Sequence, residues 1–321
     1  MPKNTPKEIA QKLNWFLERA IPITTPFGIV MGFLFPSVFM PLRPLVPWLF
    51  GVMTFSGALK LTAAELGAVV RKPSPIFLFF AAAHVIMPVI ARFSSALFFA
   101  DMDIVSGFVL LFAGPTAVSG FFWILIFKGN KALALSLILL DTLLAPIVVS
   151  GTLSILIGTE VKMDMTGIAI SLFMMIVIPT IIGVSTNEIS KGKMPARVCP
   201  YLDPVSKIFL MLVIAANASA LSAKVRFNDP LVWIVMAVCI ALTILGFIIV
   251  KITAVLGKCY GDKAITMIIA GGLRNNSAVM TLAVTFFPEA AALPTLVSII
   301  TQQSIAAFVG KLLTREKKTN G

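Results

Sequence analysis

The chain alternates between long apolar stretches and short polar connections. About ten stretches of roughly 20 apolar residues can be distinguished, and this is the length that an α-helix needs to cross a bilayer. The stretches lie approximately at residues 20–40, 44–62, 75–99, 104–127, 132–157, 165–185, 204–223, 230–256, 264–287 and 290–312. The pattern predicts an all-α polytopic membrane protein with about ten transmembrane helices.

Residues 1–19 differ from the stretches that follow because they carry many charges. They lack the apolar core of a signal peptide and predict instead a short amphipathic segment on the cytoplasmic side of the membrane. Thr5 can cap a helix here, Pro6 suits its first position, and Glu8 completes a capping box.

The net charge of +12 is explained better by membrane topology than by binding to a nucleic acid. If the N-terminus is cytoplasmic and the spans alternate, most Lys and Arg side chains fall on the cytoplasmic side, as the positive-inside rule requires. The opposite side receives only Arg43, Arg92, Lys162, Lys224 and Arg226. The distribution predicts a multi-pass protein of the cytoplasmic membrane with both termini in the cytoplasm and no nucleic-acid partner.

The longest polar break runs from Asn187 to Asp203 and separates the spans into two groups of five. An odd number of spans in each half forces the second half to enter from the opposite side, which is typical of inverted-repeat transporters. The predicted organisation is an N-terminal segment (1–19), a first repeat with the start of the second (20–186), a linker (187–203), the remaining spans (204–313) and a basic tail (314–321).

The fourth span of each half contains an interruption. The first is Gly114-Pro115-Thr116-Ala117-Val118-Ser119, and the second is Gly271-Gly272-Leu273-Arg274-Asn275. Proline removes a backbone donor and disfavours helix in the preceding residue. One such segment alone would suit close helix packing. A matched pair that contains an arginine predicts broken, crossing helices 4 and 9 with a binding site at the membrane midplane.

The polar side chains at these interruptions are the candidate substrate-binding residues: Thr116, Ser119, Arg274, Asn275, Asn276 and Ser277. Arg274 could hold a carboxylate through a bidentate contact. It could equally be a structural counter-charge to Asp141 or to a helix C-terminus. Gln302 and Gln303 are further polar groups within a span, for which an interhelical hydrogen bond is the simpler interpretation.

Two titratable residues within spans are candidates for ion coupling. Asp141 is the only acid well inside a predicted span, and it could be a proton carrier, a residual cation ligand or the partner of Arg274. His84 is the only histidine of the chain. Its titration range suits proton coupling, although a lone histidine in a helix often serves only packing.

Other kinds of chemistry have no support in the sequence. Cys199, Cys239 and Cys259 lack metal-ligand spacing, so no disulfide, metal site or cofactor is predicted. A membrane enzyme would need a nucleotide loop, paired catalytic carboxylates or a Ser/Cys–His arrangement, and none is present. No soluble signalling domain supports a transport-incompetent sensor. No oligomeric state is predicted.

Several motifs in order carry a family resemblance: Phe55-Ser56-Gly57-Ala58-Leu59-Lys60-Leu61, Gly114-Pro115-Thr116-Ala117, Phe127-Lys128-Gly129-Asn130, Asp141-Thr142-Leu143-Leu144-Ala145-Pro146 and Gly272-Leu273-Arg274-Asn275. With them the chain resembles the bile acid:sodium symporter family, especially its bacterial ten-helix members. The resemblance implies a panel domain (helices 1, 2, 6 and 7) that moves against a core domain (helices 3–5 and 8–10). It also implies organic anions as substrates.

The departures from the family concern sodium. Positions that match the family's sodium-ligand side chains hold Ala83, Gly120, Phe121, Ala134, Ile138 and Ala270, and Arg274 stands for a glutamine. Hard cations need oxygen ligands, which these side chains do not offer. We therefore expect a secondary transporter of small organic anions, surrounded by membrane lipid, that is not coupled to sodium through the usual sites. The alternatives are proton or sodium coupling through Asp141, or a membrane sensor.

Overall fold

The computed structural model describes residues 5–62, 73–158, 164–222, 225 and 228–319. The ends of the predicted N-terminal segment and basic tail, and the external charges Lys162, Lys224 and Arg226, lie outside the described residues. Within them the chain is helical, with one isolated β-bridge and no strand. The prediction of an all-α polytopic membrane protein is confirmed.

The helices follow one another with short connections. Their bounds are α1 (Pro6–Leu34), α2 (Pro36–Phe39), α3 (Val46–Ala58), α4 (Pro73–Phe80), α5 (Met87–Ala96), α6 (Met102–Ala113), α7 (Gly120–Ile126), α8 (Lys131–Leu156), α9 (Met165–Leu172), α10 (Ile178–Ile189), α11 (Lys193–Ser219), α12 (Pro230–Leu256), α13 (Gly261–Gly272), α14 (Asn276–Phe286) and α15 (Leu293–Thr319). Short 3₁₀ helices precede α3 and α15 (Met40–Leu45 and Glu289–Ala292), and π-helical turns precede α5 and α10 (Ala81–Ile86 and Phe173–Val177).

Seven helical segments of the described chain are long and apolar enough to cross a membrane. The two spans predicted to be interrupted are not among them, because each consists of two shorter helices. These pairs are α6 with α7 and α13 with α14. The interruptions therefore lie where the proline, glycine and arginine predicted them.

Two predicted boundaries look different in the structure. Thr5 and Glu8 form the expected capping box, with Thr5 N–H 3.0 Å from Glu8 Oε2. The helix that starts there is continuous to Leu34, so no break separates the segment 1–19 from the first span. The predicted linker 187–203 is helical except for residues 190–192. Polar residues at these places continue a helix beyond its apolar part instead of ending it.

The chain forms two compact units. Unit 1 contains Met1–Ala63 and Ser171–Lys224, and unit 2 contains Ala64–Ile170 and Val225–Gly321. This grouping combines spans 1, 2, 6 and 7 in one unit and spans 3–5 and 8–10 in the other, as the family resemblance implies. Each unit draws on both of the predicted repeats.

In unit 1, α1 packs along α11 at small residues. A Cβ atom added to Gly32 would collide with the carbonyl oxygen of Ala215, so glycine is needed for this close approach. Near the end of α3, the Lys60 ammonium lies 2.7 Å from Asp203 Oδ1 on α11, and Ser56 donates to the same carboxylate at 3.2 Å.

Unit 2 contains an extensive apolar cluster, in which α4, α12 and α13 meet. Phe79, Phe247, Val250 and Ile269 are buried at its centre. Burying side chains of this size away from water or lipid, at close-packed density, holds the interrupted helices in place. The candidate functional residues all belong to this unit.

Candidate functional site

The two interruptions are paired with each other through the backbone. Thr116 and Arg274 form an isolated antiparallel bridge. On either side of it, Ala117 N–H donates to Leu273 C=O at 3.1 Å and Asn275 N–H donates to Pro115 C=O at 2.8 Å. Irregular backbone is tolerated at membrane depth only when its polar groups find partners in protein or water. The bridge supplies such partners and joins the two broken spans at their interruptions.

The glycines at the crossover serve close packing. Gly114, Gly271 and Gly272 are not among the glycines with positive φ. A Cβ atom on Gly272 would collide with the Phe247 ring, and one on Gly271 would lie 2.7 Å from Val250 Cγ2. The helix α13 includes both glycines, and the chain becomes extended directly after them, at Leu273 (φ −105°, ψ 125°).

The second interruption is stabilised by amide side chains. Asn275 caps α14, because its side-chain oxygen accepts from Ala278 N–H at 3.3 Å. In the amide orientation that satisfies both partners, Gln302 accepts from Arg274 N–H at 2.8 Å and donates to Arg274 C=O at 3.1 Å. Ser298 donates to Asn276 Oδ1 at 3.2 Å. The interhelical interpretation of Gln302 fits this geometry, and its partner is the Arg274 backbone.

The Arg274 side chain is enclosed by unit 2, with 2% of its surface exposed. Its Nη2 atom donates to the carbonyl oxygen of Ala83 at 2.8 Å. Its Nη1 atom is buried and has no hydrogen-bond partner within the described part of the chain. Asp141 attracts the guanidinium through space. One terminal nitrogen of the guanidinium, Nη2, is therefore held by a hydrogen bond, whereas Nη1 has no hydrogen-bond partner among the described residues.

Asp141 is fully buried on α8, and both of its carboxylate oxygens face protein groups. Oδ2 accepts a hydrogen bond from Thr116 N–H at 2.7 Å. Oδ1 lies 2.8 Å from His84 Nε2, which is ion-pair distance, but the two atoms are not aligned for a hydrogen bond. Oδ2 is thus occupied by a hydrogen bond, and the approach of a cation to Oδ1 is limited by the His84 ring beside it.

His84 belongs to the π-helical turn Ala81–Ile86, in which Met87 N–H donates to Ala82 C=O. Such turns interrupt α-helices with one wider turn and are frequent at functional sites. The imidazole is 5% exposed and lies against the Phe80 ring, with centroids 5.3 Å apart. Its Nδ1 atom is buried and lacks a partner among the described residues.

Thr116 connects the charged groups to the crossover. Besides its backbone bond to Asp141, its hydroxyl donates to Ala270 C=O at 3.2 Å. The carbonyl groups of Ala83 and Ala270 are thus engaged by Arg274 and Thr116, at two positions where the resemblance implies sodium-ligand side chains. Among the described residues, no group of three or more His, Cys, Asp and Glu could hold a metal ion.

The remaining predicted residues are more accessible. Ser119, Asn275, Asn276 and Ser277 are half-buried, whereas Arg274 and Thr116 are buried. Gln303 Nε2 lies 3.5 Å from Ser119 Oγ, and Trp123 Nε1–H donates to Gln303 Oε1 at 2.6 Å. Trp123 and the Ala83 carbonyl were not predicted to be part of the site. A tryptophan within an apolar stretch and a backbone carbonyl have no sequence pattern that would identify them.

Comparison with known proteins gives consistent matches. The model of the sodium bile acid symporter family matches residues 47–226, which include His84, Thr116 and Asp141. The chain is 36% identical to the uncharacterized protein YbaS of Bacillus subtilis, over 92% of this chain and 97% of that one. It is 24% identical to the uncharacterized sodium-dependent transporter YocS of the same organism, over 89% and 88%. A probable chloroplastic sodium/metabolite cotransporter, BASS2 of Oryza sativa subsp. japonica, is 26% identical over 59% of this chain and 46% of its own length.

Proposed function

The chain belongs to the sodium bile acid symporter family, a family of membrane transporters, and from this premise we propose that it transports small organic anions of the carboxylate type. Transport proceeds by alternating access. The protein lies in the cytoplasmic membrane with both termini in the cytoplasm, because that orientation places most Lys and Arg on the cytoplasmic side. A reporter that fluoresces only in the cytoplasm, fused to the C-terminus, tests the orientation.

The unoccupied Nη1 end of the buried Arg274 guanidinium is the observation that supports an anionic substrate most directly. A guanidinium is always charged, offers donors in a fixed fork and matches a carboxylate. At membrane depth its attraction for an anion is screened little by solvent. Half-buried donors at the same crossover, from Ser119, Asn276 and Ser277, are suited to the polar atoms of a small anion.

Arg274 also offers a reason for independence from sodium. Its side chain approaches the Ala83 carbonyl as a bound cation would, but it is covalently attached and cannot be transported. Ala83, Ala134 and Ala270 contribute only methyl groups where the resemblance implies oxygen ligands. The fixed guanidinium thus takes over the charge that a sodium ion would bring, and the substrate binds without sodium.

The second candidate is a sodium-coupled symporter that uses Asp141. The names of the YocS and BASS2 relatives favour it, since both refer to sodium. The hydrogen bond of Asp141 Oδ2 with Thr116 and the closeness of Oδ1 to the His84 ring speak against it. A transport-incompetent sensor is a third candidate, and any solute flux through the purified protein would eliminate it.

The test begins with a thermal-shift screen of small carboxylates on the purified protein. Uptake of the most stabilising carboxylate is then measured in proteoliposomes at one fixed pH, with sodium replaced by choline. We expect saturable uptake that persists in choline, because no sodium site is needed. A large, saturable requirement for sodium would refute sodium independence, and a lack of any carboxylate uptake would refute the proposed substrate class.

A further inference from the structure

We propose that His84 is the proton-binding site of the transporter, and that one proton bound at its Nδ1 atom accompanies each monoanionic substrate. This inference rests on the proposed transport of organic anions. It assigns the coupling proton to the imidazole and gives Asp141 the role of its fixed counter-charge.

The contact with Asp141 determines which ring nitrogen is free. A carboxylate can only accept hydrogen bonds, so two lone pairs would repel each other if His84 Nε2 carried no hydrogen at 2.8 Å from Asp141 Oδ1. We therefore assign the neutral ring as the Nε2–H tautomer. Its Nδ1 atom then has a bare lone pair, buried and without any hydrogen-bond partner in the described part of the chain. That atom is where an additional proton binds.

The charge balance of the cluster requires one mobile positive charge. Arg274 contributes +1 and Asp141 contributes −1, so with a neutral His84 the cluster has no net charge. A bound monocarboxylate would then leave an uncompensated negative charge at membrane depth, which is unfavourable. A proton on His84 Nδ1 restores neutrality with the substrate bound. The empty transporter is also neutral once that proton has left.

Few other charges can influence the ring. The elements packed against the π-helical turn are α4, α5, α6, α8, α12 and α13. Of the described charged groups on or next to these elements, Asp141 and Arg274 face His84, the latter through the adjacent Ala83 carbonyl. Arg92 on α5 and Cys239 on α12 point to the carbonyl groups of Leu156 and Pro294. The remaining charges lie at helix ends: Asp103, Lys131, Lys251, Asp262 and Lys263 within the first or last two turns, and Asp101, Asp229 and Lys258 just outside them.

The protonation itself can be observed without any substrate. Since His84 is the only histidine, a protein labelled with ¹⁵N in the imidazole gives the signals of a single ring. Across a pH series that covers the ordinary range of histidine side chains, we expect the Nε2–H tautomer at the alkaline end and a second proton on Nδ1 at the acidic end. A ring that keeps one protonation state throughout this range would overturn the proposal.

Coupling is tested with the carboxylate selected by the thermal-shift screen. For one proton per monoanion, a gradient of about one pH unit drives about tenfold accumulation. A potassium and valinomycin potential of either sign leaves that ratio unchanged, because the loaded transporter carries no net charge. Accumulation that follows the potential, or that requires sodium, would contradict the proposal while leaving anion transport itself established.

The variant His84→Gln separates coupling from folding. Glutamine keeps an N–H donor for Asp141 but cannot take up a proton in this range. We expect the pH-driven accumulation to fall from about tenfold to about onefold, while a slower exchange of internal for external carboxylate remains, because the bound anion is no longer neutralised by a proton. Arg92→Gln removes a charge elsewhere in unit 2 and is the matched control, with accumulation like that of the parent. His84→Gln with parental accumulation would show that His84 only packs.

Discussion

A close contact between ionisable groups lies in each unit of the described chain, and the two contacts have nearly the same length. In unit 1, Lys60 Nζ is 2.7 Å from Asp203 Oδ1, with the lysine side chain 49% exposed. In unit 2, His84 Nε2 is 2.8 Å from Asp141 Oδ1, and the two residues are 5% and 0% exposed. From the distances alone, the two contacts would be expected to be equally strong. Their surroundings differ, since polar surroundings screen the first contact and little screens the second.

The buried contact persists because every charge in its cluster has support. Asp141 receives a backbone N–H from Thr116, Arg274 donates to the Ala83 carbonyl, and the two charges cancel. Buried charges without such support are strongly unfavourable. A cluster of this kind is sensitive to the loss of any member, and this sensitivity is what a transport site can use to respond to a proton or a substrate.

The largest expected effect comes from Arg274→Ala. Removing the guanidinium leaves Asp141 as an uncompensated buried charge, and we expect the unfolding free energy to drop by about 3–5 kcal/mol. The double variant Arg274→Ala/Asp141→Asn should recover much of this loss. Thermal unfolding of both single variants and the double variant in detergent measures the coupling. Additive effects of the two substitutions would show that the charges do not support each other.

The variant Arg274→Lys tests whether substrate binding needs the planar guanidinium or only its positive charge. Lysine keeps the positive charge but loses the planar fork that can reach the Ala83 carbonyl and a carboxylate together. We expect a stability close to that of the parent with weaker binding of the selected carboxylate. Binding by Arg274→Lys as tight as that of the parent would mean that charge alone, without the fork, explains the site.

A smaller effect is expected from packing at the crossover. In Gly272→Ala the new methyl group collides with the Phe247 ring, and overpacking of this kind destabilises by about 1–3 kcal/mol. Gly151→Ala in α8 is the matched control, because a Cβ atom there meets nothing within 4 Å. The control should be neutral or stabilised by about 1 kcal/mol. Equal effects on thermal stability would contradict the close-packing role of Gly272.

The smallest effect is expected from the exposed contact of unit 1. Lys60→Ala removes a half-exposed ammonium, and exposed ion pairs contribute about 0–1 kcal/mol. Asp203 keeps the hydroxyl of Ser56 as a partner at 3.2 Å. Thermal unfolding of this variant, compared with Arg274→Ala, tests whether burial separates the two contacts. A loss from Lys60→Ala as large as that from Arg274→Ala would remove the distinction.

Local features of the sequence were sufficient for the general architecture. Apolar stretches of membrane-crossing length predicted the spans, and Thr5, Pro6 and Glu8 predicted the start of α1. Pro115 and Arg274 predicted the interruptions, since a missing donor and an intramembrane charge are visible in the residues themselves. The helix boundaries near residues 19 and 203 were not predictable in this way, because a polar stretch can continue a helix as readily as end it.

The partners of the charged residues were decided by the tertiary structure. From the sequence, Arg274 could pair with Asp141, a helix end or a substrate; in the fold its guanidinium donates to the carbonyl of Ala83, 191 residues away. Asp141 instead contacts His84 and the backbone of Thr116. Every residue has a carbonyl and nearly every residue an N–H, so no sequence pattern marks the ones that a fold will use. The sequence determined which charges are buried, and only the packing of helices brought together by the crossover determined what each of them contacts.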